Sequence, residues 1–182
     1  MLSFSKGEND ARTMDNVMLS DVSSDKQLKV DLSAGLARLH TESFRLYLQT
    51  RGLQEKAVGD RSTDLNLMFE DQCEDLANAV YAIGEHIRKL NIPATVTYQE
   101  FSNDNSLMEI ERVQTSNELV EPVISGHEQV LRTAMKVLQL AKIADDTATA
   151  AMVTDRMLVH EKTVWMLRTK SKHIRNAIEK DM

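Results

Sequence analysis

Cysteine is nearly absent from this sequence: Cys73 is the only one in 182 residues. No intrachain disulfide can form, and nothing in the cysteine usage argues for export. Breakers are scarce too, with two prolines and six glycines, and there are few β-branched runs. With Leu, Ala, Met, Glu and Lys plentiful, that composition favours helices. The ten methionines read as adaptable fillers of irregular core gaps. No apolar run approaches the roughly 18 residues of a membrane helix. The opening MLSFSKGENDARTM lacks the apolar centre of a signal peptide. The expectation is a soluble, cytoplasmic protein with no membrane partner. Excess positive charge is missing as well. A formal net charge of −6 argues against a wholesale nucleic-acid binder, since binding phosphates usually takes a cationic face. At this length one domain with a full core is expected.

Several chemistries are missing in the same way. None of the five histidines, His40, His86, His127, His160 and His173, has Glu three residues earlier, so the usual di-iron site inside a helical bundle is absent. HEQVL and HEKTV are not the His-Glu-x-x-His of a zinc protease helix. There is no glycine-rich phosphate loop. Cys73 lies on a helix beside acids, which raise a thiol's pKa and make it a poor nucleophile.

What is present is helical spacing. Residues 1–29 carry little apolar periodicity, and Lys6, Arg12, Lys26 and Lys29 face Glu8, Asp10, Asp15, Asp21 and Asp25; a nearly neutral arm, flexible or strapped onto a neighbour, is expected there. From residue 30, Leu32, Leu36, Leu39, Ser43, Leu46 and Tyr47 fall on one helical face. GDRST breaks the pattern and offers Ser62, Thr63 or Asp64 as a cap. A second seam runs through Leu65, Phe69, Gln72, Leu76, Val80, Ile83, Ile87 and Leu90 and must end before Pro93. The long stretch that follows has room for one short helix near YQEF. A third seam holds Val120, Val123, Ile124, His127, Val130, Leu131, Ala134, Val137, Leu138 and Ala141. ADDT reads as a turn plus cap before the fourth helix.

Four helices with one long crossover between the second and third predict an all-α, ferritin-like four-helix bundle. Cytokine-type bundles are secreted and more often carry cysteine pairs. On the fourth helix Met152, Val153, Met157, Val159, Val164, Trp165, Met166 and Leu167 cover more than one face. Such a helix expects a second partner, here another subunit.

The second helix poses the chemical question. Glu70 and Glu74 lie one turn apart and Glu85 about four turns beyond Glu70. At 1.5 Å per residue Glu70 and Glu85 are about 22 Å apart, so they can share a metal only if another copy of the helix lies alongside. His86 points about 100° away from Glu85. A solvated acidic face accounts for the same pattern. His127, on its seam, reads as a hydrogen-bonded core histidine, and His160 with Glu161 and Lys162 as interface polar contacts.

The fourth-helix stretch TDRMLVHEKTVWMLR resembles the Dps family, the mini-ferritins that protect bacterial DNA during starvation and oxidative stress. LSAGLARLHTESFRLYLQT, LNLMFEDQCEDLANAVYAIGEHIRKL, TYQEFSNDNSL and VISGHEQVLRTA follow in the family's order, so the resemblance spans residues 31 to about 169. It implies a Dps domain at 30–169, between the arm at 1–29 and a basic C-terminal tail at 170–182. It also implies a hollow homo-oligomer, a dodecamer, with the short connecting helix at the dimer contact, and iron oxidised between two subunits. In that family one subunit offers a His before Trp, then a second His and an acid; its neighbour offers Asp and Glu one turn apart.

Carried over residue by residue, the His-Trp pair falls on Gln54 and Glu55, and the second His on Asn66. The acid is kept as Glu70, the neighbour's Asp falls on Tyr81, and its Glu is kept as Glu85. Three of five ligand positions are replaced and both imidazoles are gone. Gln54, Asn66 and Tyr81 still offer oxygen donors, so a weak all-oxygen site for iron, magnesium or calcium is what remains. The resemblance thus implies a cage that sequesters iron as ferric mineral and protects against oxidative stress, with an impaired or atypical ferroxidase centre. One alternative is an inactive structural or DNA-protecting cage subunit, including one assembled with an active paralogue. Another is a cage with a repurposed metal site.

Glu74, Asp145, Asp146, Asp155 and Glu161 are the candidate inner-wall or pore acids, with Ala151 where the family often has one. The tail carries Arg168, Lys170, Lys172, Arg175 and Lys180 against Glu179 and Asp181, a balance of +3 that leaves −9 elsewhere. Repeated on a cage, such tails can hold DNA by multivalency. The competing reading is that they continue the helix and pair locally, as Arg175 with Glu179 can.

Overall fold

Four helices make up the described part of the computed structural model, which covers residues 7–56, 63–90 and 116–180, with side-chain surroundings for 24–55, 65–90 and 120–172. They are α1 (Gly7–Lys56), α2 (Thr63–Lys89), α3 (Ser116–Ile143) and α4 (Thr147–Lys180). No strand occurs among the described residues, and the all-α bundle expected from the spacing is what the chain forms.

The helices are built on the expected seams. Leu32, Leu36, Leu39 and Leu46 of α1, Leu65, Phe69, Leu76, Ile83 and Ile87 of α2, and Val120, Val123, Ile124, Val130, Ala134, Val137 and Ala141 of α3 are all buried in one core. Each fully buried Leu or Phe contributes about 2 kcal/mol by leaving water. Leu90, the last residue of the second seam, is instead exposed, because it lies just past the end of α2. On α4 Val153, Val164 and Leu167 are buried while Leu158, Trp165 and Met166 are exposed, so that helix is apolar on two sides.

Contacts between helices fix their directions. A Cβ on Gly126 would stand 2.6 Å from Leu46 Cδ1, and one on Gly35 3.0 Å from Val137. Two glycines thus let α1 and α3 close on each other in antiparallel fashion. Asp75 meets Arg156 and His86 meets Thr149, so α2 and α4 are antiparallel too. His40 against Gly84 sets α1 against α2. Since α4 folds back on α3, it follows that α2 and α3 run parallel, as a long crossover requires. The short helix expected near YQEF lies outside the described residues.

The turn between α3 and α4 follows from ADDT. Asp145 takes the left-handed backbone, φ 51°. Around it Ala144 N donates to Leu140 O at 2.9 Å, Asp145 N to Lys142 O at 3.3 Å and Asp146 N to Ala141 O at 2.9 Å. This is the closing pattern of a helix ending in a left-handed residue, and Asp tolerates that conformation better than most side chains. Asp146 then caps α4, its Oδ1 accepting from Thr149 N at 3.0 Å.

Two boundaries differ from expectation. Helix α1 begins at Gly7, so the stretch read as an arm at 1–29 is largely continuous with it. No proline or glycine interrupts residues 8–34, and a helix already nucleated by its packed part extends at little cost through polar residues. Likewise α4 runs to Lys180, so most of the stretch read as a tail at 170–182 continues the helix.

Candidate metal-binding face and buried histidine pair

The retained carboxylates sit on the outward side of α2. Glu70 is exposed, and Glu85 is half-buried and ion-paired with Arg88 one turn on. Asn66, one turn before Glu70, has a buried Oδ1 with no hydrogen-bond partner. Tyr81, one turn before Glu85, is 68% exposed. Gln54 on α1 accepts from Arg51 Nη1 at 3.3 Å. Among the described residues no three His, Cys, Asp or Glu side chains gather closely enough to hold a metal ion. One chain therefore presents Asn66 with Glu70 and Tyr81 with Glu85 as two separate groups along α2, not as an assembled site.

The candidate pore acids divide. Glu74, Asp145, Asp155 and Glu161 are exposed. Asp146 is half-buried and already hydrogen-bonded. Besides capping α4 it accepts a 2.5 Å hydrogen bond from Thr149 Oγ1. Burial pushes its carboxyl up, but the bonds from Thr149 outweigh that and hold it below the usual range. Because Thr149 Oγ1 donates to Asp146, His86 Nε2, 2.7 Å away, donates to Thr149. The chain His86–Thr149–Asp146 ties the end of α2 to the start of α4.

The cations assigned to the tail are also partly engaged. Arg168 pairs with Glu128 of α3, Lys170 is half-buried and Lys172 exposed. Arg175 and Lys180 lie on α4, with side chains outside the described set.

The imidazoles are elsewhere. His127 of α3 and His160 of α4, 2% and 1% exposed, face each other in the core with Nδ1 atoms 2.8 Å apart. His127 thus is the hydrogen-bonded core histidine its seam predicts. His160 lies in the core instead of at an interface, while its neighbours Glu161 and Lys162 are exposed. Beside the pair Arg156 binds Asp75 through two nitrogens, at 3.0 and 2.7 Å. Burial, with the Arg156 guanidinium adding to it, pushes His127 down to about 4; burial, with His127 and Arg156 adding, pushes His160 down to about 2. A positive neighbour and two neutral rings make this a poor cation site. Cys73 is buried, and burial pushes its thiol up, with Glu70 adding to the rise against Arg51.

The family model for the ferritin-like domain matches residues 33–177. The chain belongs to the ferritin-like family. Within it the fold is Dps-like. The chain superimposes on a Dps protein of Vibrio cholerae with a TM-score of 0.70 at 22% identity, over 79% of this chain and 90% of that one. For Dps of Thermosynechococcus elongatus the TM-score is 0.73 at 20% identity, over 80% and 93%. The DNA protection during starvation protein 2 of Bacillus anthracis is 26% identical over 110 residues, 60% of this chain and 75% of that protein.

Proposed function

We propose that this ferritin-like protein is a subunit of a homo-oligomeric cage that sequesters iron as ferric mineral and limits oxidative stress, with an atypical all-oxygen oxidation site in place of a histidine-containing one. The observation that carries the reading is the layout of α2. Asn66 with Glu70 and Tyr81 with Glu85 stand at two levels of one helix, about 60° apart around its axis. An antiparallel second copy of α2 would lay Asn66 and Glu70 of one chain against Tyr81 and Glu85 of the other. Leu67 and Tyr81, 58% and 68% exposed, give that face the apolar area a partner subunit would cover. Iron is the cargo here. Carboxylates, an amide and a phenol are oxygen donors that hold it less firmly than imidazole does, so uptake is slow compared with a histidine-containing site.

The dodecamer is supported by the Dps-like fold. A role in DNA protection has less support, because Arg168 is paired and the tail continues α4. Co-assembly with a histidine-bearing paralogue is the second reading, favoured by the imidazoles missing at Gln54 of α1 and Asn66 of α2. Aerobic Fe(II) loading of the purified full chain, followed by size separation, tests the proposal. Ferric iron should travel with a particle much larger than one 20.6 kDa chain. Iron left wholly in the small-molecule fraction contradicts it.

A further inference from the structure

The buried histidines have no part in the site proposed on α2, yet two imidazoles facing each other in an apolar core demand an explanation. A single Nδ1–H···Nδ1 bond joins α3 to α4 at this point. It exists only while one facing nitrogen has a proton and the other a lone pair. His127 Nε2 has no partner, so charge gained by that ring has no acceptor to spread into. Arg156 of α4 acts on both rings, and Asp75 of α2 acts on His127. Asp75 is already bound by Arg156, which leaves the pair with a positive neighbour and little to balance a new one.

We propose that the His127–His160 pair is an acid-sensitive latch between α3 and α4, closed while the facing nitrogens share one proton and opened when both rings take one. The second proton places N–H on both facing nitrogens, replacing an attraction with a repulsion between two buried cations. The direction with pH follows from burial. Unfolded imidazoles protonate near their ordinary 6.5, whereas burial holds both folded ones well below it. Below pH 6.5 the unfolded chain therefore binds more protons. Each imidazole then costs the folded state up to about tenfold in its equilibrium constant per pH unit, down to its folded pKa.

Acid titration of the assembled full chain, followed by far-UV circular dichroism, tests this against the His127→Gln/His160→Gln variant. Glutamines can hydrogen-bond across the same gap but cannot be charged. His40, which burial also pushes down, is present in both proteins, so the difference reports the pair. The unfolding midpoint of the variant should fall at a pH about one unit lower than that of the unaltered protein. Equal midpoints overturn the latch. Should the variant fail to fold, nitrogen NMR of labelled histidines in the unaltered protein decides. His127 and His160 both still neutral at pH 5.5 support the latch, and a charge on either ring in the folded protein at that pH overturns it.

Discussion

The outward face of α2 and the interior between α3 and α4 hold the two kinds of iron ligand apart. On α2 the carboxylates Glu70 and Glu85 lie with no cluster of metal ligands around them among the described residues. Between α3 and α4 two imidazoles are sealed 2.8 Å apart beside a guanidinium, with the nearby Asp75 already bound. The first place has charge and access but weak donors. The second has strong donors but neither access nor a favourable field. Donor type alone does not make a metal site; burial and neighbouring charge decide whether a histidine binds metal or holds helices together.

Emptying the second place is expected to have the largest effect. His127→Ala removes a buried ring and orphans His160, costing about 3 kcal/mol of stability, readable by denaturant unfolding. Iron oxidation per folded cage should not change. A proportionate loss of oxidation would break the comparison, because it would put the core pair in the iron chemistry. Moving imidazoles to the first place sharpens it. Gln54→His/Asn66→His/Tyr81→Asp should raise the rate of Fe(II) oxidation about ten- to a hundredfold, measured by stopped-flow ferric absorbance. No gain would mean that these positions do not converge across two subunits. The smallest effect is expected at the tether between α2 and α4. Asp146→Ala removes the cap and the anchor of Thr149 and His86, costing about 1 kcal/mol, with iron uptake retained if Asp146 is no pore acid.

Much of the fold is legible in the sequence because the apolar spacing is regular. Leu32 to Leu46, Leu65 to Ile87 and Val120 to Ala141 recur at three and four residues, and nearly all are buried. ADDT is legible for a different reason, since few residues other than Asp and Asn suit both a left-handed corner and a cap. His160 is hidden by its charged neighbours. Its spacing from Val153, Val164 and Leu167, all buried, places it on the core side, but the meeting with His127 depends on how two helices pack. The length of α1 is hidden too, since polar residues extend a packed helix without leaving any apolar period. The α2 carboxylates can be read as a stripe, whereas the site they would complete requires a second chain.

The most direct measurement is anaerobic Fe(II) loading of the purified assembly, then addition of peroxide while ferric absorbance is followed, beside the Glu70→Ala/Glu85→Ala variant. An all-oxygen oxidation site that depends on these two carboxylates requires a rate faster than buffer in the unaltered protein, and a return to the buffer rate in the variant. A rate in the unaltered protein equal to that of buffer would contradict such a site and leave a cage without one.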